Sequence, residues 1–256
     1  MKKVEINDIE TKGYTVFDSF LDQDEVIELK KACIKWVELC GEIQIGAGMK
    51  KDFTAHHSIG GDDSIDKFVH AHYFDSLLTD YFNGKKYILH ACNPVLGPPS
   101  TKSYLHKIHR DIRTFFPKVN LRINVLVALD EFTLENGATE ILPGSHLNEH
   151  EPSLEDFEKS KVHLVLPAGS VVLFNSYLWH RAGFNNTSFN RVALTLSYGL
   201  PFIKPQLDYA RLIGEARAEC FSSLSRQVLG FNSRVPVSLE EWYRQPGDRL
   251  YHDDQG

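Results

Sequence analysis

The sequence lacks the features that mark membrane, secreted and fibrous proteins. Its 256 residues contain no apolar run near the roughly 18 residues that cross a bilayer. Glu5, Asp8 and Glu10 occupy the place where a signal peptide needs its apolar stretch. With 17 glycines and 11 prolines, the chain is neither collagen-like nor of low complexity. These absences predict a globular protein without a membrane partner.

Cysteine and positive charge are also scarce. The four cysteines form neither a CxxC pair nor a zinc-knuckle spacing, so we expect reduced thiols and a cytoplasmic location. Lysine and arginine total 28 against 34 aspartates and glutamates, which gives a net charge of −6. This acidic balance argues against nucleic acid as a partner and leaves a small-molecule substrate as the expected one. The sequence gives no indication of the oligomeric state.

One domain is expected over residues 1–256, because single β-domains reach this length. It divides into an N-terminal helical part at about 1–85, a β core at about 86–200 and C-terminal helices at about 205–250. Asp22 and Glu25 form a capping-box pattern at the start of one helix. A further helix is predicted over residues 65–82, with its end at Asn83-Gly84.

Short β-rich runs divided by turn residues characterise the middle of the chain. They predict a mainly β fold with surrounding helices, of the sandwich or jelly-roll kind. In the run 121–129, apolar Ile123 and Val125 alternate with Arg122 and Asn124, so the two sets face opposite sides of a strand. The six runs are 86–92, 121–129, 140–142, 162–166, 170–174 and 191–198.

Histidine is unusually abundant, with 12 copies, and two of them form a pattern that suits a metal. His109 and Asp111 lie two positions apart, on one side of an extended strand. His180 follows the β-run 170–174. Two histidines and one carboxylate on neighbouring strands are typical of the facial triad of non-haem Fe(II) oxygenases, which leaves coordination positions open.

Arg191 opens the last β-run of the core, eleven residues after His180. A guanidinium on an adjacent strand can point into the same cavity and bind a carboxylate through two hydrogen bonds. Two neutral imidazoles and one carboxylate leave an Fe(II) site with net positive charge. The combination favours a bidentate anionic co-substrate, followed by O2.

The remaining histidines are expected to be background. His146, in a Pro-Gly-Ser-His turn, is interpreted as a hydrogen-bonding residue that stabilises the turn. The group His56, His57, His70 and His72 is expected to be solvated or to face substrate, rather than to bind a second metal.

These motifs resemble the phytanoyl-CoA dioxygenase-like family of Fe(II)- and 2-oxoglutarate-dependent oxygenases. The resemblance runs from about Gly13 to Pro201. It implies a double-stranded β-helix core, a jelly-roll or cupin-like fold, that uses Fe(II), 2-oxoglutarate and O2. The segments that carry it are His109-x-Asp111, Glu135-Asn136-Gly137-Ala138-Thr139, Pro143-Gly144-Ser145-His146, His180 and Arg191.

The resemblance also implies roles for individual residues. His109, Asp111 and His180 would hold the iron, and Arg191 would bind the distal carboxylate of 2-oxoglutarate. Further contacts to the co-substrate are expected in the same pocket, from Asn124, Thr139 and His106.

One position departs from the family pattern. Family members often carry a hydroxyl residue two positions after the distal histidine, where this chain has Ala182. The contact that this hydroxyl makes with the co-substrate is therefore missing, or it is made by Thr195 or Ser197.

Asp111 bears on the type of reaction. Related halogenases carry Gly or Ala at this position, so an intact carboxylate favours hydroxylation, with desaturation or ring closure as alternatives. We expect a small polar metabolite or natural-product intermediate as substrate. Two other functions stay open: an oxygenase acting on a protein side chain, and a β-barrel binding protein with a vestigial triad.

The stretch 102–113 reverses the overall charge of the chain. Lys102, Lys107, Arg110 and Arg113 accompany His109, and Asp111 is its only acid. We expect part of this positive field to attract anionic 2-oxoglutarate. Arg110 and Arg113 are candidates for contact with an acidic substrate.

Overall fold

Alternating apolar residues build the larger of two antiparallel sheets in the computed structural model, which describes residues 2–101, 103–116 and 118–256. Its five strands follow the order β1-β6-β3-β8-β2, and the smaller sheet has the order β5-β4-β7. The mainly β fold predicted from the sequence is thus confirmed. The strands are β1 (Tyr14–Phe17), β2 (Ile88–Gly97), β3 (Arg122–Ala128), β4 (Glu140–Ile141), β5 (Val162–His163), β6 (Val171–Asn175), β7 (His180–Arg181) and β8 (Arg191–Gly199).

The two faces of the larger sheet pack against different partners. Ile123 and Val125 of β3 belong to a buried apolar cluster that also contains Val26 and Leu29 from the long N-terminal helix. Leu126, on the opposite face of β3, belongs to a second cluster together with residues of the smaller sheet. The period-two alternation therefore determines which side chains face the helices and which face the interior between the two sheets.

Helices surround this β core. Asp22 caps the second helix, and its carboxylate and the Glu25 side chain form the predicted capping box. Among the described residues, no helix has both the length and the apolar character needed to cross a bilayer. The helices are α1 (Lys2–Thr11), α2 (Gln23–Gly46), α3 (Ser64–Ala71), α4 (Asp75–Tyr81), α5 (Leu154–Ser160), α6 (Tyr209–Ile213), α7 (Glu215–Ala218), α8 (Ser223–Val228) and α9 (Leu239–Trp242).

The helix predicted over 65–82 is two helices, α3 and α4. His72 ends α3 in a left-handed conformation with φ of 51°, and its ring hydrogen-bonds to Ser225 of α8. This tertiary contact accompanies the break, and no Gly or Pro in the sequence marks its position. The predicted end is confirmed, because Asn83 and Gly84 both have positive φ.

The structure extends or adds several strands. The run 86–92 continues through Pro94 to Gly97, and β2 lies at the edge of its sheet, where a residue without an N–H is tolerated. The strands β1 and β7 were not predicted. Both are short, and β7 has only two residues, too few for a periodic pattern.

Candidate active site

The three predicted metal ligands come together where the loop before β3 meets β7. His109 and His180 exchange two backbone hydrogen bonds, each of 2.9 Å, and the Asp111 N–H donates to the Ser176 carbonyl at 3.1 Å. One ligand atom from each of the three side chains lies within 4.8 Å of the others. Within the described ranges, this is the one group of three histidines, cysteines or carboxylates that converges in this way.

Both imidazoles are oriented by the backbone two residues before them. Nδ1 of His109 lies 2.8 Å from the Lys107 carbonyl oxygen, and Nδ1 of His180 lies 2.9 Å from the Leu178 carbonyl oxygen. A carbonyl only accepts, so Nδ1 carries the proton and Nε2 keeps its lone pair for a metal. Burial lowers the pKa of His180, which favours the neutral, metal-binding form.

Asn124 makes a hydrogen bond that the sequence did not predict. It lines the cavity, but its amide Nδ2 donates to Oδ2 of Asp111 at 2.6 Å. The other carboxylate oxygen, Oδ1, lies 4.0 Å from Nε2 of His109. Asn124 therefore orients the carboxylate of Asp111 toward the histidines.

Arg191 is almost completely buried, with 7% of its surface exposed. Its guanidinium donates to the Gly137 carbonyl and lies 4.2 Å from the centre of the Phe132 ring. Burial lowers the pKa of Arg191 to about 10, so the side chain stays charged at neutral pH. Its Nε has no hydrogen-bond partner among the described residues, which leaves a buried donor for an anion.

The Asn136-Gly137 turn holds Arg191 in place. Gly137 has φ of +80°, and a Cβ at this position would lie 2.4 Å from the Gly183 carbonyl oxygen. Asn136 closes the turn by accepting from the Thr133 N–H at 2.8 Å and by donating to the Glu131 carbonyl at 2.7 Å. Only glycine combines this conformation with this close approach, and the result is a carbonyl directed at the guanidinium.

A cavity of about 250 Å³ joins the three ligands to Arg191. Thr139 lines this cavity, as predicted. His106 is not among the lining residues, because its Nδ1 accepts from the Ser103 N–H at 3.0 Å and its ring packs near Phe184. A larger cleft of about 440 Å³ shares no lining residue with this cavity, and its Arg217 is paired with Asp62 and Asp66.

Ala182 lines the cavity without a hydroxyl, and both proposed substitutes for that hydroxyl are close by. Thr195 Oγ1 donates to the Asn93 carbonyl at 3.1 Å, while Ser197 Oγ accepts from Arg122. Both hydroxyls therefore have partners within the protein.

Sequence reasoning missed Arg122 as a cavity residue, and with it Thr54, Asn93 and Tyr104. The sequence could have predicted that Arg122 faces the cavity, because the alternation in β3 places it on the same face as Asn124. The other three lie on segments without a regular pattern or on an edge strand, so only the tertiary structure brings them to the cavity.

The basic stretch does not supply the expected substrate contacts. The guanidinium carbon of Arg110 lies 5.2 to 5.9 Å from the ring centres of Phe115, Tyr177 and Trp179, so this residue is packed away from the cavity. Arg113 is exposed and does not line the cavity. Lys102 lies outside the described residues.

The background histidines have structural partners. His146 donates from Nε2 to the Glu10 carbonyl at 3.1 Å, which confirms its role as a hydrogen-bonding turn residue. His70 and His72 were expected to be solvated or to face substrate, but both are half-buried and hydrogen-bond to the Ser225 hydroxyl. His57 lies 2.8 Å from the Tyr209 hydroxyl, and His56 lines the cavity.

These residues fit an Fe(II) ion and 2-oxoglutarate. Two imidazoles with free Nε2 atoms and one oriented carboxylate are the donors of a non-haem iron facial triad. The unpartnered Nε of Arg191, buried in the same cavity, suits the distal carboxylate of the co-substrate.

The fold and the converging side chains define the class: a β protein with a candidate facial-triad metal site. The chain belongs to the phytanoyl-CoA dioxygenase (PhyH) family, whose model matches residues 9–193. The resemblance expected from the motifs is thereby confirmed.

The match with each curated relative covers only part of that relative's length. An uncharacterised protein of Mycobacterium tuberculosis is 34% identical over 174 residues, which are 66% of this chain and 64% of that protein. The peroxisomal phytanoyl-CoA dioxygenase of Rattus norvegicus is 29% identical over 122 residues, 40% of this chain and 36% of the rat protein. The chain therefore spans less than two thirds of the length of these relatives.

Solved structures share the fold. EctD from S. alaskensis, crystallised with 2-oxoglutarate and 5-hydroxyectoine, has a TM-score of 0.63 and 21% identity, over 77% of this chain and 75% of EctD. The epimerase SnoN, in complex with Fe3+, alpha ketoglutarate and nogalamycin RO, has a TM-score of 0.61 and 21% identity, over 77% and 83% of the two chains. These likenesses confirm the predicted cupin-type fold.

Proposed function

We propose that the protein is an Fe(II)- and 2-oxoglutarate-dependent oxygenase that hydroxylates a C–H bond of a small polar metabolite or natural-product intermediate. The observation that carries this proposal is the convergence of His109, Asp111 and His180 in one cavity with the buried guanidinium of Arg191. A protein that only binds a ligand needs no open metal site beside an unpaired buried cation. Both features are needed by an enzyme that binds iron and a diacid together.

The protein side chains hold the reactants in place. His109, Asp111 and His180 would hold the iron, and Arg191 would pair with the distal carboxylate of 2-oxoglutarate. Fe(II) and 2-oxoglutarate, when bound, supply an O2-dependent oxidation in which one oxygen atom enters succinate and the other enters the product, with release of CO2.

The cavity walls exclude water from the reaction. The Phe174 ring packs edge-on against His180, with ring centres 5.1 Å apart. Leu126, Leu196 and Ala193 complete an apolar wall on β3 and β8. Such a wall strengthens the charge pairs inside the cavity and protects reactive species from water.

Two features support hydroxylation of a small molecule. Asp111 provides a carboxylate ligand that leaves no additional coordination position for a halide, and its orientation by Asn124 favours its use as a ligand. A volume of about 250 Å³ suits 2-oxoglutarate together with the reacting part of a compact substrate.

The test is anaerobic addition of Fe(II) and 2-oxoglutarate to the purified protein, followed by absorbance in the visible range. We expect a charge-transfer band in the wild type and none in His180→Ala, which lacks a ligand. Arg191→Gln should raise the apparent Kd for 2-oxoglutarate at least tenfold, because a charge-assisted pair is lost.

Arg211→Gln is the matched control, since Arg211 is exposed on α6. Its titration with 2-oxoglutarate should follow that of the wild type. Absence of the band in the wild type would refute the proposed function, and an unchanged Kd in Arg191→Gln would refute the role of Arg191.

A further inference from the structure

A second guanidinium, that of Arg122, reaches the cavity from β3. Arg122 precedes Asn124 by two positions and lies on the same face of the strand. Its Nε and Nη2 both donate to the Ser197 hydroxyl, at 3.0 Å and 2.6 Å. Nη1 and the second hydrogen of Nη2 stay available for two oxygens of one anion.

Backbone packing fixes the position of Arg122. A Cβ at Gly199 would lie 2.6 Å from Cγ of Arg122 and 3.0 Å from the His90 ring. The aliphatic part of the Arg122 side chain therefore packs over Gly199 of β8, where any Cβ would clash with it. A side chain held in this way loses little further freedom when it binds a ligand.

Arg122 and Arg191 lie at opposite ends of the cavity strands. Arg191 is the first residue of β8, while Arg122 pairs with Gly199, the last. The nine residues of β8 span about 26 Å between these ends at the usual rise per residue. 2-Oxoglutarate is a five-carbon diacid about as long as two extended residues, about 7 Å, much shorter than this backbone separation, so we assign the two arginines to different anions.

The positive charge of Arg122 has no partner of its own. It forms no salt bridge within the part of the chain that the structure describes, and the Asp111 carboxylate near it belongs to the metal ligands. Neighbouring His90 is buried, which lowers its pKa to about 4 and keeps it neutral. Arg122 is half-buried, and charges withdrawn from water are normally paired, so this guanidinium is suited to an anion that enters the cavity.

We infer that Arg122 binds an anionic group, a carboxylate or a phosphoryl group, of the molecule that is oxidised at the metal site. This inference rests on the proposed function. Arg191 binds the distal carboxylate of the co-substrate, and Arg122 binds the anionic group of the substrate. The C–H bond that reacts then belongs to an acid or a phosphate ester, held by its anionic end with the reacting carbon near the iron ligands.

The test uses two small anions as probes, acetate for the carboxylate and methyl phosphate for the phosphoryl group. Each is titrated calorimetrically into the anaerobic protein loaded with Fe(II) and saturating 2-oxoglutarate, at low ionic strength. We expect the wild type to bind at least one probe, and Arg122→Gln to bind it at least tenfold more weakly. The preferred probe identifies the anionic group.

Two further variants complete the series. Arg122→Lys keeps the charge without the planar fork, and we expect an intermediate affinity. Arg211→Gln removes an exposed arginine outside the cavity, and we expect the affinity of the wild type. Equal affinity in Arg122→Gln and the wild type, or no binding of either probe by the wild type, would overturn the inference.

If Arg122→Gln fails to fold, Ser197→Ala replaces it. Loss of the hydroxyl leaves the guanidinium unanchored, so we expect several-fold weaker binding of the probe. Unchanged binding in Ser197→Ala would count against Arg122.

The titrations with 2-oxoglutarate distinguish the failure of this inference from failure of the proposed function. A missing charge-transfer band in the wild type contradicts the oxygenase function itself. A normal band together with unchanged probe binding in Arg122→Gln contradicts only the assignment of Arg122. A rise in the Kd for 2-oxoglutarate in Arg122→Gln as large as that in Arg191→Gln would assign Arg122 to the co-substrate instead.

Discussion

At the scale of single residues, the candidate metal site depends on the hydrogen-bond partners of the proposed ligands as much as on the ligands themselves. The rings of His109 and His180 are each oriented by the carbonyl two residues earlier in the chain. The Asp111 carboxylate is oriented by the amide of Asn124 on a separate strand. Backbone carbonyls are present whatever the sequence, whereas the amide is a side chain that substitution can remove.

Asn124→Ala should therefore weaken metal binding. We expect a loss of about 10- to 100-fold in affinity, because removal of a residue that orients a ligand has an effect of this size. The measurement is calorimetric titration with Co(II) as an air-stable substitute for Fe(II). Asn148→Ala, at an exposed position, is the control, and equal affinities in the two variants would contradict the role of Asn124.

At the scale of secondary-structure elements, short segments position the functional side chains. The strand β7 has two residues and begins with the ligand His180. The turn at Asn136-Gly137 contributes no side chain to the cavity, but its backbone carbonyl accepts from Arg191. Motifs of this kind are recognisable in a sequence, although their physical role becomes visible only in the fold.

Gly137→Ala and Gly84→Ala form a matched pair. Both glycines have positive φ, but a Cβ at Gly84 meets nothing within 4 Å, whereas one at Gly137 meets the Gly183 backbone. We expect Gly84→Ala to lower the free energy of unfolding by about 1 kcal/mol, and Gly137→Ala by about 3 kcal/mol or more. Urea unfolding measures both.

Only Gly137→Ala should also weaken 2-oxoglutarate binding, because the Arg191 guanidinium depends on this turn. Equal losses of stability in the two variants would indicate that the close contact with Gly183 carries no strain.

Prediction from the sequence succeeded where a pattern was local. The capping box at Asp22, the alternation in β3 and the end of α4 at Asn83-Gly84 were all predicted. The break at His72 was missed because no local pattern marks it, and the hydrogen-bond partner of His72, Ser225, lies far away in the chain. Asn124 was assigned to the right cavity, but its hydrogen bond to Asp111 was not predicted, since alternation indicates a face and not a contact. Its contact with 2-oxoglutarate stays a prediction.

At the scale of the whole molecule, burial keeps several histidines neutral. Desolvation lowers the pKa of six of them in the folded chain. Their unfolded pKa lies near 6.5, so below that pH the unfolded chain binds more protons than the folded one. The six are His57, His70, His72, His90, His146 and His180.

Stability should therefore fall as the pH drops from about 7 toward about 5, since the free energy of unfolding rises with pH where the unfolded chain binds more protons. His90 is the best single test, because its folded pKa is lowered to about 4. His90→Gln should reduce the loss of stability between pH about 7.5 and pH about 5.5 by about 1 kcal/mol.

Urea unfolding at the two pH values measures this effect. His150→Gln, at an exposed position, is the control. The explanation fails if the pH dependence of His90→Gln equals that of the wild type.

The single-domain organisation over residues 1–256 stays a prediction. One buried cluster includes Ile9 near the start of the chain, Val125 in the β core and Phe231 in the C-terminal part. Shared burial of this kind is what a single folding unit requires. One cooperative transition in the urea experiments would support it, and two separate transitions would contradict it.

The sequence by itself determined the class of fold, and it predicted three metal ligands and an arginine that the structure brings into one cavity. Period-two alternation, turn residues and ligand spacing are local properties, so they are visible in the sequence before the fold is known. The tertiary structure alone decided that Asn124 hydrogen-bonds to Asp111, that Arg110 packs among aromatic rings and that Arg122 faces the cavity without a salt bridge to any described residue. The physical reason is that the partners and the burial of a polar or charged side chain determine what it can bind. Segments distant in sequence supply those partners.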